Sequence, residues 1–318
     1  MSDTFIVEDI GIDLFGISWE RAERISNFEE TIVSVIADCK LLYVNSDEDF
    51  RRFDSLRKNI SVLCDSKNRE KLLQKASEKM ENVFVNVYKL FKAETENDNS
   101  SARIEANNIM VTVFEVLSLI NQKYLKKGWG KNFTEIMQFE YKPENLADTI
   151  NAIINTCEIK TINKHCNYLI EAVLKIIEGL RSEYAYKKQY PEVFSGFYEE
   201  IKSVFNKIIH ACDTGDYMTV YFYTVQLHEE IGCMIYMLET GVQQEKYESF
   251  RKIEKEMHKK GIDSLIGKLG NTDLSKFKES VVDFEKKFLN LLTEEKVKIK
   301  EFGNIEAVSY THLTLPTN

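Results

Sequence analysis

Apolar and polar residues alternate near the start of the chain, a spacing typical of a β-strand. In residues 10–17, Ile10, Ile12 and Leu14 fall on one face, whereas Asp13 falls on the other. A single strand is not stable in water and requires a partner strand. The pattern therefore predicts that residues 10–17 belong to a small sheet.

The next fifty residues continue this α/β pattern. Ser18 is a helix N-cap candidate before a predicted helix at 20–37, the run 40–44 is a second strand candidate, and residues 48–60 have helical apolar spacing. The pattern of residues 1–64 therefore predicts the order strand, helix, strand, helix. We interpret this order as the remnant of an α/β domain. Because two strands are few for such a domain, we expect its first strands to lie upstream of this sequence.

Helical spacing dominates the remainder of the chain. Eight further helices are predicted, at 67–94, 102–127, 143–157, 162–187, 191–212, 215–240, 244–260 and 273–300. The pair Tyr190-Pro191 is the predicted boundary between a helical bundle, 65–190, and a second helical unit, 191–306. We interpret the aromatic-rich helix at 217–236 as core packing, with a homodimer face as the alternative.

The last residues differ abruptly from this pattern. Residues 307–318 carry no aspartate, glutamate, lysine or arginine and show no helical or alternating spacing. We interpret them as a non-native tail and exclude them from the fold prediction.

Composition agrees with a mainly α protein. The 318 residues include only three prolines and thirteen glycines, and 29% are charged, which is typical of long helices joined by short loops. A formal charge of −9 disfavours general binding to nucleic-acid phosphates. Six cysteines without C-x-x-C spacing, and the lack of a signal peptide or a long apolar run, predict reduced, mostly buried thiols in a cytoplasmic protein without a membrane segment.

Specific catalytic motifs are missing from the sequence. It contains no P-loop, G-x-G-x-x-G, H-E-x-x-H or paired C-x-x-C pattern. His228 begins a fragment of a zinc-protease motif, but Gly232 occupies the position of the second histidine ligand. We therefore do not predict a metal site at His228.

Two other features are candidates for chemistry. Arg251 and His258 are seven residues apart on one predicted helix, and this spacing resembles the arginine–histidine motif of HEPN-type ribonucleases. The neighbouring lysines and glutamates favour a solvated helix face as its explanation. Asp13 lies within a strand, where a carboxylate is disfavoured. It is explained either by a partner such as a metal ion or an arginine, or by a strand edge in water.

Residues 12–22, IDLFGISWERA, and 37–43, ADCKLLY, resemble the later half of the nucleotidyltransferase domain of the DNA-polymerase-β-like superfamily. The likeness is greatest to aminoglycoside (kanamycin-type) nucleotidyltransferases, and it continues through 102–128, which resembles the first long helix of their substrate-side domain. The resemblance implies a partial nucleotidyltransferase domain at 1–64 and a substrate-side bundle at 65–190.

This resemblance implies transfer of a nucleoside monophosphate from a magnesium-bound NTP to the hydroxyl of a small, aminoglycoside-like acceptor, with Mg²⁺ as cofactor. Asp13 would be a metal ligand, and Glu81 and Glu105 are candidates for the general base. The Gly-Ser turn and Asp-x-Asp strand of the family have no counterpart here. We therefore expect this chain to be an inactive, N-terminally truncated enzyme. The alternative is a non-catalytic, HEPN-like helical module.

Overall fold

The structure is a computed structural model that describes residues 2–128, 130–245, 248–270 and 273–302. Within these ranges the chain forms thirteen α-helices and one two-stranded sheet, which confirms the mainly α prediction. It divides into two compact units, Met1–Tyr184 and Ala185–Asn318, and the pair Tyr190-Pro191 lies near the start of the second. The predicted tail, 307–318, lies outside the described residues.

The sheet is an antiparallel hairpin of β1 (Ser2–Val7) and β2 (Ile10–Phe15). Glu8 and Asp9 form its two-residue turn with φ angles of 48° and 62°, the left-handed conformation that such turns require. The prediction of a strand from residue 10 is confirmed, and its partner is β1.

The predicted strand at 40–44 is wrong, because these residues adopt no regular structure. Leu42 and Tyr43 are 84% and 80% exposed. A short turn brings β1 to β2 at little entropic cost, whereas residues 40–44 would have to close a much longer loop to reach the same strand.

Three helices follow the hairpin: α1 (Trp19–Ser26), α2 (Ser34–Ala37) and α3 (Asp47–Leu63). The hydroxyl of Ser18 accepts the Arg21 N–H at 3.2 Å, which confirms the predicted N-cap. The predicted helix at 20–37 is interrupted after α1, where Phe28 has a φ of 61°.

The remainder of the first unit is a helical bundle. Its helices are α4 (Arg69–Glu96), α5 (Asn99–Ile120), α6 (Phe133–Ile136), α7 (Leu146–Asn155) and α8 (Ile159–Ser182). Helices α4, α5 and α8 pack against one another, and α7 packs on α8. The predicted apolar face of α5 is entirely buried: Ile109, Val113, Val116, Leu117 and Ile120.

The sequence placed the end of α5 and the start of α7 incorrectly. α5 ends at Ile120, not at 127, because Gln122 adopts a φ of 53° that a helix cannot accommodate. α7 begins at Leu146, three residues after Pro143. Residues 121–128 are therefore a connecting segment.

The second unit consists of α9 (Tyr190–Phe194), α10 (Phe197–Thr214), α11 (Tyr217–Thr240), α12 (Arg251–Lys259) and α13 (Leu274–Glu294). Gly215 and Gly241 end α10 and α11 with φ angles of 77° and 74°, as the sequence predicts. Leu227, Ile231 and Ile235 of α11 are buried in the core of this unit, whereas Tyr221 and Phe222 are 53% and 60% exposed. Core packing is therefore confirmed for one face of that helix only. The homodimer alternative stays a prediction.

All six cysteines are unpaired. The prediction that most are buried is wrong, because only Cys166 and Cys212 are buried and Cys157 is exposed. Burial raises the pKa of the Cys166 thiol to about 12. Among the described helices, none has the length and apolarity needed to cross a bilayer.

Candidate functional site

The first unit contains a cavity of about 820 Å³, within the size range of small-molecule sites. One wall is a face of α5 that runs from Asn107 to Glu115, and a second is the far end of α7. The lining is completed by the connecting segment from Leu125 to Gly128, by Gly130, Asn132 and Phe133, and by Thr31, Ile32 and Ser34.

The cavity exists because α5 is apolar on two faces. One face is buried in the bundle, and Met110, Val111 and Phe114 lie on a second face that lines the cavity. The rings of Phe114 and Phe133 are 6.0 Å apart. Val111 and Ile154 are 44% and 53% exposed, so they offer apolar surface to a ligand.

A carboxylate holds the connecting segment in place. Glu135, on the short helix α6, accepts the backbone N–H groups of Lys126 and Lys127, each at 3.0 Å. Asp38 accepts the Tyr124 hydroxyl at 3.0 Å, and burial, followed by this contact with Asp38, raises the pKa of Tyr124 to about 12. The two lysines are thereby fixed at the cavity rim.

The far end of α7 is fixed by Arg103 of α5. Its guanidinium donates to the carbonyl oxygens of Ile153 and Ile154 at 3.1 and 2.8 Å, and also to that of Thr156. These carbonyls are otherwise unpaired at a helix C-terminus. The arginine therefore sets the position of Ile154 in the cavity wall.

Glu115 is the carboxylate of the lining, and the sequence analysis missed it. Its Oε2 lies 2.7 Å from Lys79 Nζ, and the side chain is 20% exposed. The sequence signal for Glu115 is that it is the single acidic residue inside the mostly apolar run of 109–120. Such a residue on a buried helix needs a partner, which Lys79 provides.

Asp13 lies on the exposed hairpin, away from this cavity. It accepts the Thr4 hydroxyl at 2.7 Å. No set of three histidine, cysteine, aspartate or glutamate side chains that could hold a metal ion occurs in the described part of the chain. Thus Asp13 is an edge-strand residue in water, and its role as a metal ligand stays a prediction.

The two candidate bases, Glu81 and Glu105, do not line the cavity. Glu105 is buried, with Oε1 3.8 Å from Lys89 Nζ and Oε2 accepting from Asn108 at 3.4 Å. Glu81 lies on α4 and is half-buried. The structure therefore does not bring either carboxylate to the site, and their catalytic role stays a prediction.

Arg251 and His258 lie on α12 of the second unit, and both are exposed. His258 Nδ1 is 3.4 Å from Asp263 Oδ1. His228 is instead fully buried in the core of this unit. The arrangement of Arg251 and His258 is that of a solvated helix face.

Residues 51–183 match the family model of the KNTase C-terminal domain. The match supports a kanamycin nucleotidyltransferase-like family and covers α4 to α8 with most of α3. No curated protein and no solved structure matches the chain. Apart from residues 31–34, the whole lining of the cavity lies within the matched region.

Proposed function

We propose that this nucleotidyltransferase-like chain binds a small-molecule acceptor in the cavity of its first unit and presents the acceptor's hydroxyl for nucleotidyl transfer. The observation that supports this proposal is the location of the cavity. Its lining falls almost entirely within the region that matches the KNTase C-terminal domain. A concave, largely apolar cavity with a few polar groups is the usual form of a ligand site.

The lining residues have separate roles in this proposal. Met110, Val111 and Phe114 exclude water and hold the apolar body of the acceptor. Glu115 accepts a hydrogen bond from the acceptor hydroxyl, since it is the one carboxylate among the lining residues. Lys79 holds Glu115 in a fixed orientation through its 2.7 Å ion pair.

The described residues do not fit a magnesium site of the two-metal type. Such a site requires several convergent carboxylates, whereas Asp13 is exposed and hydrogen-bonded to Thr4. No step of the transfer is therefore assigned to a metal ion. The described residues are assigned only to binding of the acceptor.

Whether Asp13 binds Mg²⁺ can be tested directly. We expect Asp13→Asn to bind Mg²⁺ with the same affinity as the unaltered chain, because a single exposed carboxylate binds this ion only weakly. Titration calorimetry with MgCl₂ measures both proteins. A clear loss of affinity in Asp13→Asn would show that Asp13 is a metal ligand after all.

Acceptor binding can be measured with three probes that share a phenol hydroxyl but differ in charge: 4-hydroxyphenylacetate, its neutral alcohol 4-hydroxyphenethyl alcohol, and the amine tyramine. We expect calorimetry to detect binding of at least one probe to the full chain. Val111→Trp fills the cavity from an exposed position and is expected to weaken binding by tenfold or more, about 1.4 kcal/mol.

Val85→Trp is the matched control, because Val85 is 58% exposed on α4 and does not line the cavity. It should bind the probe as the unaltered chain does. If none of the three probes bound, or if both tryptophan variants weakened binding equally, the proposed site would be incorrect.

The second candidate is a non-catalytic helical module. Asp13 is exposed and belongs to no group of three possible metal ligands in the described ranges, which favours this alternative. Incubation with labelled NTP, Mg²⁺ and the bound probe tests the non-catalytic alternative. Labelled product would exclude the non-catalytic module, whereas probe binding without product fits both this module and the inactive enzyme expected from the missing Gly-Ser and Asp-x-Asp motifs.

A further inference from the structure

The segment that closes the cavity is strongly basic, although the whole chain carries a charge of −9. Four lysines occur between residues 123 and 131, and no acidic residue does. Lys126 and Lys127 line the cavity. The cavity therefore has a local charge opposite to that of the whole molecule.

The acidic groups that face this segment are already engaged. Asp38 lies 3.5 Å from Lys126 Nζ and accepts the Tyr124 hydroxyl. Glu135 accepts two backbone N–H groups. Glu115 is paired with Lys79 at 2.7 Å.

Lys127 differs from these paired groups. It is exposed at the rim, and no carboxylate partner for its ammonium group exists among the described residues. An unpaired ammonium beside an apolar wall attracts an anion more strongly than one in open water, because nearby low-dielectric surface reduces screening.

The apolar wall of the cavity lies beside this ammonium group. Met110, Val111 and Phe114 line the cavity on α5, and Val111 is 44% exposed. The cavity thus offers an ammonium group beside an apolar wall.

We infer that the acceptor is a hydroxylated acid with a flat apolar body, and not a polycation. Its acidic group lies beside Lys127, and its ring contacts Phe114 and Phe133, whose rings are 6.0 Å apart. This inference rests on the proposed function, since it assigns the chemical class of the acceptor to the same cavity.

The three phenol probes test the inference, because they present the same phenol ring with side chains of three different charges. We expect affinity to decrease from 4-hydroxyphenylacetate to the neutral alcohol and then to tyramine, with kanamycin binding more weakly than the acid. Added salt should weaken binding of the acid, because it screens the attraction to Lys127. Lys127→Glu should lower the affinity for the acid about tenfold and raise that for tyramine.

Lys71→Glu is the matched control, since Lys71 is exposed on α4 and lies outside the cavity lining. It changes the net charge equally and should leave the order of affinities unchanged. Equal effects of the two charge reversals would mean that only net charge acts, and would overturn the inference.

The remaining outcomes separate this inference from the proposed function. If tyramine or kanamycin bound more tightly than the acid, and Val111→Trp abolished this binding, the acceptor would not be an acid. The cavity would still be the acceptor site. Binding of AMP without binding of 4-hydroxyphenylacetate would also overturn the inference, since the anion would then belong to a nucleotide. No binding by any probe would instead count against the proposed function itself.

Discussion

At the scale of single residues, His228 has an unusual environment for a histidine. It is fully buried on α11, and neither ring nitrogen has a hydrogen-bond partner in the described residues. The rings of Phe250 and Phe284 lie 5.6 and 5.7 Å from the imidazole. Burial lowers the pKa of His228 to about 4, against a weaker opposing effect of Glu254.

This pKa predicts an acid-sensitive second unit. The folded protein keeps His228 neutral, whereas the unfolded chain binds a proton near pH 6.5, so stability is complete above about pH 6.5 and decreases as the pH falls toward 4. A shift of this size corresponds to about 3 kcal/mol. Urea unfolding followed between pH 7.5 and 4 measures the loss.

His228→Leu should show a smaller loss of stability over this pH range, because it has no proton to bind. His210→Leu is the control, since His210 is exposed on α10 and its replacement should leave the pH dependence unchanged. The same pH dependence in His228→Leu and in the unaltered chain would assign the acid sensitivity to other groups.

At the scale of elements, α11 and α12 approach closely at Gly232. A Cβ atom there would lie 2.7 Å from Ile253 Cγ2 and 2.9 Å from Met257 Sδ. Both side chains are buried and cannot move away freely. The absence of a side chain at Gly232 therefore permits this helix contact.

Gly232→Ala is expected to destabilise the second unit by about 1–3 kcal/mol, because the added methyl group overpacks the contact. Gly179→Ala is the opposite case, since a Cβ atom on this α8 residue meets nothing within 4 Å. It should be neutral or stabilising by up to about 1 kcal/mol through helix propensity. Thermal unfolding measures both variants, and equal effects would contradict the contact geometry.

The sequence predicted elements whose signals are local. Ser18 was recognisable as a cap, and the spacing of Ile109, Val113 and Leu117 identified α5. It failed where a tertiary partner decides the structure. β1 has only three apolar residues, Phe5 to Val7, but pairs with β2 through a tight turn, whereas residues 40–44 have strand composition and pair with neither described strand. Pairing, not propensity, separates these two segments.

At the scale of the whole molecule, the resemblance to a nucleotidyltransferase substrate-side domain agrees with the family match at residues 51–183. The cavity could not be predicted, because its walls come from segments far apart in sequence, such as Thr31 and Ile154. Glu115 was missed for the same reason: its orientation toward the cavity depends on how α5 packs. The aminoglycoside-like acceptor implied by the resemblance stays a prediction, and we infer an acid instead from the lysines at the cavity rim.

The most direct measurement is amide hydrogen exchange of the full chain with and without 4-hydroxyphenylacetate. The proposed site predicts slower exchange at the cavity walls, in 107–115, 125–128, 130–133 and 150–154, with the helices of the second unit unchanged. Slower exchange confined to other segments, or no change at a saturating concentration of the acid, would contradict the assignment of this cavity as the ligand site.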